Sequence, residues 1–392
     1  MFTALNLKRK LVKVFRAGEL HLKYRNGTNT QYIYPKIHSA KVFERYTQYV
    51  FTVPMGLAPS DVLKKKWLFE NAFGLNTELV QDNKRFVLTI HNQGLPTKLE
   101  YDYMQYEEKL TQYALPVLCG ANLYGEIVAF DMVEYPHCLI AGQTGSGKSV
   151  FIRSVLATLL QSCSPDKLHI FASDLKRSEF HFLRNIEHVK TLTFTKEGTE
   201  NLLIEIENEM TKRGDLLNEY GAMHIDHLPE DIRPPYILIC IDEVVLLKDE
   251  KESMRILEII SSIGRSLGCF LILAMQRPDS KLLEGALKNN LSVRMGFRAA
   301  DASNAKIIGT PGSNKITMEQ RGRFILALNE IQEIQAPYLS DTEAKKLLKP
   351  FILDKPKVAV LDDTEPAWVS APIKQEESIF GLLEGDSDES ER

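Results

Sequence analysis

The stretch CLIAGQTGSGKSVFIRSV, residues 138–155, decides the fold. Its first four residues are apolar on consecutive positions, as in a strand covered on both faces. The next eight fit G-x-x-x-x-G-K-S from Gly142 to Ser149, with Gln143, Thr144, Gly145, Ser146 and Gly147 leading to Lys148. SVFIRSVLATLLQ (149–161) then reads as a helix. The glycines let successive N–H groups face one anion, and the helix start adds its partial positive charge. Lys148 is placed to bridge the terminal phosphates of ATP, and Ser149 to ligate Mg2+. Because strand, loop and helix follow one another in this order, a Gly-rich turn matching by accident is the poorer reading.

Further apolar runs extend the pattern: LHIFASD (168–174), YILICID (236–242), FLILAMQ (270–276) and RFILAL (323–328). Helical stretches such as TENLLIEIENEMTKRGDLLNEY (199–220) separate them. The economical solution is α/β, a RecA-like P-loop NTPase of three layers with a mainly parallel sheet. Upstream, TQYVFTVPMGLAPSDVLKKKWLFENAF (47–73) reads as a strand, a turn with Pro54, Gly56 and Pro59, and a helix that Ser60 or Asp61 can cap. KRFVLTIHN (84–92) alternates like another strand. The expected division is a basic segment 1–45, a small α+β domain 46–110, a phosphate-loop domain 111–350 and an acidic, disordered tail 351–392.

Composition bounds the class. With 44% hydrophobic and 26% charged residues over 392 positions, the chain reads as an ordinary soluble protein of two or three domains. The net charge of -4 hides an asymmetry: residues 1–66 carry 13 Lys and Arg against Glu19, Glu44 and Asp61, whereas 354–392 carry 11 acids against four bases. A basic arm suits nucleic acid or anionic lipid, or is simply a solvated face. In the tail, SIFGLLEGDSDE frames a short apolar patch with carboxylates, a docking peptide or plain solvated disorder. The five cysteines are scattered, with no C-x-x-C, and read as core residues of a reducing compartment. No apolar run reaches the ~18 residues of a membrane span, so a cytoplasmic location is expected. Leu5, Leu11, Val12 and Phe15 mixed with basic residues keep recruitment to a membrane surface open.

Asp242 and Glu243 close a buried strand, where carboxylates are costly unless employed. Asp242 suits the magnesium shell, and Glu243 suits orienting and polarising an attacking water. At the tip of the next strand, the Gln276 amide can sense the γ-phosphate. Arg265 before that strand, and Arg294 and Arg298 after it, are candidates for an arginine finger acting in a neighbouring subunit; spacing alone does not choose among them. His224 and His227 have an i, i+3 spacing that can suit a metal, but their Pro-rich acidic surroundings favour a solvated loop.

These residues resemble the FtsK/SpoIIIE DNA translocases, within the FtsK/HerA group of ring ATPases. The likeness runs from about residue 115 to 348. It is carried by LPVLCGANLYGEIVAFDMVEYPHCLIAGQTGSGKSV, by Asp174, Lys176 and Glu179 on an Asp-x-Lys-x-x-Glu pattern, and by Glu209, Met210 and Arg213. GRSLGCFLILAMQRPDSKLLEGALKNNLSVRMGFR (264–298) is similar to the family's most telling segment, with Met275 where Thr is usual. The resemblance implies that Lys148, Ser149, Asp242 and Glu243 form a hydrolytic centre, that Gln276 is the sensor and that Arg265 is the finger. It also implies a homo-oligomeric, hexameric ring on double-stranded DNA, with Lys281, Lys288, Asn289 and Asn290 near a neighbour or the pore. Without a membrane-spanning block or a winged-helix domain, the expectation is a compact translocase of mobile elements, working with transfer or membrane-associated partner proteins. The competing readings are an ATPase motor for protein secretion and an ATP-gated adaptor without translocation.

Overall fold

The computed structural model describes residues 2–353, apart from 27, 28, 44, 75, 92, 93, 280, 281, 283 and 284, together with 359–360. Lys281 and nearly all of the acidic tail lie outside the described residues.

The consecutive apolar runs do form strands with two covered faces. Across one sheet of eleven strands the order is Ala359–Val360, Val189–Thr193, Leu168–Asp174, Tyr236–Asp242, Cys269–Met275, Cys138–Ala141, Val293–Phe297, Arg323–Ala327, Ile331–Gln335, Pro116–Asn122 and Ile127–Asp131. Pairing is parallel as far as Val293–Phe297 and antiparallel beyond it. Strand residues alternate between the faces. Cys138, Ile140, Leu238, Cys240, Phe270 and Ile272 therefore pack with Phe151, Val155 and Leu159 of the helix Lys148–Ser162. Leu139, Ala141, Ile239, Ile241, Leu271 and Leu273 pack instead with Leu202 and Ile206 of the helix Lys196–Tyr220 and with Ile256 and Ile260 of the helix Lys251–Ile263. Helices on both faces make the three layers expected, and the run RFILAL is the first of the antiparallel strands that widen the sheet. The five cysteines are all buried and free.

The small unit is an antiparallel sheet ordered Lys36–Val42, Tyr46–Thr52, Arg85–His91, Thr77–Asp82. The basic N-terminal segment is no separate arm. Its helix Phe2–Ala17 carries Leu7, Leu11, Val14 and Phe15 three or four residues apart, one apolar stripe. Leu11, Val14 and Phe15 join Phe51, Phe69 and Phe86 in one core, the Phe15 and Phe51 rings lying 5.0 Å apart. Arg9, Lys10, Lys13 and Arg16 stay exposed on the other side. The boundary expected at residue 45 thus cuts through a packed core.

The expected cap also differs. The helix after Gly56 starts from Ala58 without a side-chain cap, and Pro59 occupies its first turn, where a missing N–H costs nothing. It breaks at Lys65 into Pro59–Lys64 and Lys66–Phe73. Among the described residues no helix is long and apolar enough to cross a membrane.

Candidate nucleotide site

The phosphate loop leaves the C-terminal end of the strand Cys138–Ala141 and enters the helix Lys148–Ser162. Two glycines are required by geometry. Gly147 has φ +104°, and a Cβ there would stand 2.7 Å from the Gly322 nitrogen. A Cβ on Gly142 would meet the Phe297 Cβ at 2.5 Å. Gly322 N–H donates to the Ser146 carbonyl at 2.8 Å, docking residues 321–322 against the loop.

Strand order explains how the other residues converge. Cys269–Met275 lies between the phosphate-loop strand and the strand Tyr236–Asp242. Gln276, at its tip, therefore reaches both neighbours. The Thr144 hydroxyl donates to Gln276 Oε1 at 3.1 Å, and Gln276 N–H donates to Glu243 Oε1 at 3.2 Å.

Lys148 Nζ donates to Asp242 Oδ1, an ion pair whose side chains are only 5% and 2% exposed. Glu243 has a left-handed backbone, φ 62°. In an unbroken strand it would face away from Asp242. The left-handed turn interrupts that alternation, and its carboxylate meets Lys176 Nζ at 2.6 Å. Such a conformation on a non-glycine residue persists only where the surroundings hold it.

Asp174 pairs in register with Asp242 and is fully buried. Its carboxylate accepts the N–H groups of Lys176, Glu179 and Phe180 at 3.3, 2.8 and 3.0 Å. That turn presents Lys176 to Glu243, a partnership with no local spacing to announce it in the sequence.

Beside the loop is a cavity of about 460 Å³. The phosphate loop, Glu179 and Gln276 line one side; Thr97, Lys98, Leu99, Arg321, Gln335, Ala336, Pro337 and Tyr338 line the other. The second set was not anticipated. Its members come from 97–99, from Arg321 and from 335–338, and a two-residue bridge, Leu99 with Pro337 and Glu100 with Tyr338, joins the first stretch to the last.

Residues 99–280 match the model of the FtsK/SpoIIIE family. The chain carries an FtsK/SpoIIIE domain. The DNA translocase FtsK of Borreliella burgdorferi is 31% identical over 251 residues, 60% of this chain and 32% of that protein. That of Staphylococcus epidermidis is 27% identical over 286 residues, 68% of this chain and 35% of the relative. The chain spans about a third of the length of these curated relatives. Among solved structures, the pCW3 conjugation coupling protein TcpA, in monomer form with ATPgS, has a TM-score of 0.57 at 23% identity, covering 87% of this chain and 98% of its own. EssC (ATPases 2 and 3) from Geobacillus thermodenitrificans has a TM-score of 0.58 at 20% identity, covering 68% of this chain and 54% of its own. The fold is that of phosphate-loop ATPases.

Other residues of the FtsK/SpoIIIE pattern have structural employment. Arg213 is buried, donates from Nη1 to the Leu267 carbonyl at 2.9 Å and pairs with Glu209 at 3.0 Å, pinning the turn that starts the Cys269–Met275 strand. Arg294 donates to the carbonyls of Leu291 and Lys288 at 3.3 and 2.8 Å, closing the end of the helix Gly285–Asn290. Asn290 bonds Ser261 and Ser262 at 3.2 and 3.1 Å, stapling that helix to Lys251–Ile263. Arg265 is exposed, its Nε donating to the Val133 carbonyl at 3.1 Å. It precedes the strand that Gln276 follows, so the length of seven strand residues, about 20 Å, separates it from its own chain's phosphate loop. Arg298 follows the strand Val293–Phe297 at the loop's pole, its carbonyl accepting Gln143 N–H at 3.0 Å. His224 accepts the Asp226 N–H at 3.2 Å and caps a short 3-10 turn; no metal-binding group of acidic, His or Cys side chains forms among the described residues.

Proposed function

We propose that this chain is the motor of an ATP-driven double-stranded DNA translocase of FtsK/SpoIIIE type, with residues 111–350 as the motor domain. The convergence of Lys148, Asp242, Glu243 and Gln276 at one end of the parallel strands carries the reading. In a ring, the arginine finger comes from a neighbouring subunit.

Water attacks the γ-phosphorus; the new O–P bond forms as the bond to the bridging oxygen breaks, and ADP leaves. Glu243 takes the proton. Its two hydrogen bonds leave about half of a carboxylate's lone-pair sites free to accept it. Lys148 neutralises charge on the terminal phosphates. Gln276, already bonded to the phosphate loop through Thr144, registers the γ-phosphate and passes that contact to Glu243 through its own N–H.

Ser149 and Asp242 supply hydroxyl and carboxylate oxygens, the donors Mg2+ prefers, and one or two protein oxygens completed by phosphates is its usual mode in such sites. The ion would add Lewis-acid stabilisation of the phosphate charge.

The family domain and the FtsK relatives support DNA as the track. A hexameric ring and a setting in conjugative or other mobile-element transfer complete the proposal; the setting is supported by shared architecture with a conjugation coupling protein alone. ATP turnover measured with duplex DNA, with single strands and with none tests it. Stimulation by duplex is expected; indifference to all DNA refutes it in favour of a secretion motor or an adaptor.

A further inference from the structure

The cavity beside the phosphate loop has two chemically different ends. Toward the loop it offers Lys148 and Ser149; its far wall has an apolar part, Leu99, Ala336, Pro337 and Tyr338, set beside Thr97, Lys98, Arg321 and Gln335. Neither Asp242 nor Glu243 lines it. A triphosphate on the loop with its γ-phosphate toward Gln276 and Glu243 therefore directs the rest of the nucleotide into this space. Its volume, about 460 Å³, suits a small organic ligand.

The far wall is held in place by bonds of its own. Tyr101 N–H donates to the Tyr338 carbonyl at 3.1 Å. The buried Arg323 guanidinium donates to the carbonyls of Leu95 and Pro96 at 3.3 and 3.1 Å, fixing the approach to Leu99. Lys98 Nζ sits 4.7 Å from the centroid of the Tyr338 ring, and Lys98 is itself paired with Glu100. One face of the ring is thus covered, while the side chain as a whole remains accessible at 41% and lines the cavity.

We propose that Tyr338, with Leu99 and Pro337, forms the base subsite for a purine nucleoside triphosphate, the ring of Tyr338 being its stacking platform. This rests on the reading of the phosphate loop as a triphosphate site. A planar apolar base suits an aromatic face and an apolar floor, and stacking of this kind tolerates substitution by another aromatic ring.

Calorimetric titration of the full chain with ATP and with inorganic tripolyphosphate, both with Mg2+, separates the two halves of the ligand. Wild type should bind ATP more tightly than tripolyphosphate. Tyr338→Ala should weaken ATP on the order of 10-fold, the scale of one lost stack, and leave tripolyphosphate unchanged. Tyr338→Phe should retain wild-type affinity. Unchanged ATP binding in Tyr338→Ala, equal loss of both ligands, or an equal loss in Tyr338→Phe would each overturn the base subsite while leaving the phosphate loop standing. Wild-type protein that binds neither ligand would instead overturn the triphosphate reading, and the base subsite with it.

Discussion

Lys148 and Asp242 form a nearly dry ion pair, so disabling the phosphate loop has a consequence for stability. In Lys148→Met the stem remains but the ammonium is gone, leaving the Asp242 carboxylate, 2% exposed, without its cation. Breaking a buried pair from one side costs about 3–5 kcal/mol because the surviving charge is uncompensated. Lys148 also borders the cavity, through which water can reach the site, so the lower end, about 3 kcal/mol, is expected. Asp242→Asn should cost a comparable amount. The double variant removes both charges and should recover most of the loss, giving a coupling of about 2 kcal/mol or more. The assay is denaturant unfolding of all four proteins by far-ultraviolet circular dichroism. Tryptophan fluorescence would follow the wrong part of the molecule, since Trp67 and Trp368 both lie outside residues 111–350. Additive single effects, within about 0.5 kcal/mol, would refute a buried, mutually dependent pair.

His137 is buried with its Nδ1 accepting the Leu271 N–H at 3.2 Å, and burial pushes its pKa down to about 4. Unfolded, it titrates near 6.5. Between these values only the unfolded chain takes up the proton, so stability is lost as pH falls from about 6.5 toward 4, on the order of 3 kcal/mol from this residue. Asn tolerates the left-handed backbone found here, φ 62°, and does not titrate; His137→Asn should flatten the pH dependence of the denaturation midpoint over that window, and an unchanged slope would contradict the assignment. For the finger, Arg265→Ala should lose turnover and regain part of it when mixed with Glu243→Gln, whose own site is dead but whose Arg265 is intact. No rescue would move the role to Arg298, since the Arg294 guanidinium is already committed to the Lys288 and Leu291 carbonyls.

The parts of the fold legible in the sequence are those written in short, regular patterns. Unbroken apolar runs announced strands packed on both faces, and the phosphate loop announced the helix after it. The amphipathic helix Phe2–Ala17 was harder to place because its apolar stripe and its basic residues both suit a free surface segment; only the aromatic cluster of Phe15, Phe51, Phe69 and Phe86 assigns it to the small unit. Likewise Arg213 and Arg294 look functional as isolated arginines. Their guanidiniums end on backbone carbonyls, and a carbonyl partner carries no side-chain signature in the sequence.

The candidate residues Lys148, Asp242, Glu243 and Gln276 could be named from the sequence, but their arrangement could not. Along the chain the strands run Cys138–Ala141, Leu168–Asp174, Tyr236–Asp242, Cys269–Met275; across the sheet Cys269–Met275 moves between the first and the third. Chain order would set Gln276 beyond the carboxylates. Sheet order sets it between them and the phosphate loop, and that exchange gives one amide residue contact with Thr144 on one side and Glu243 on the other. The far wall of the cavity depends on a longer-range closure still. Leu99 and Pro337 meet only after the antiparallel strands Arg323–Ala327 and Ile331–Gln335 have brought the chain back across the sheet. A pattern of two residues at each end carries no period, so the wall that would hold the base emerges from topology, whereas the loop that would hold the phosphates is written in eight consecutive residues.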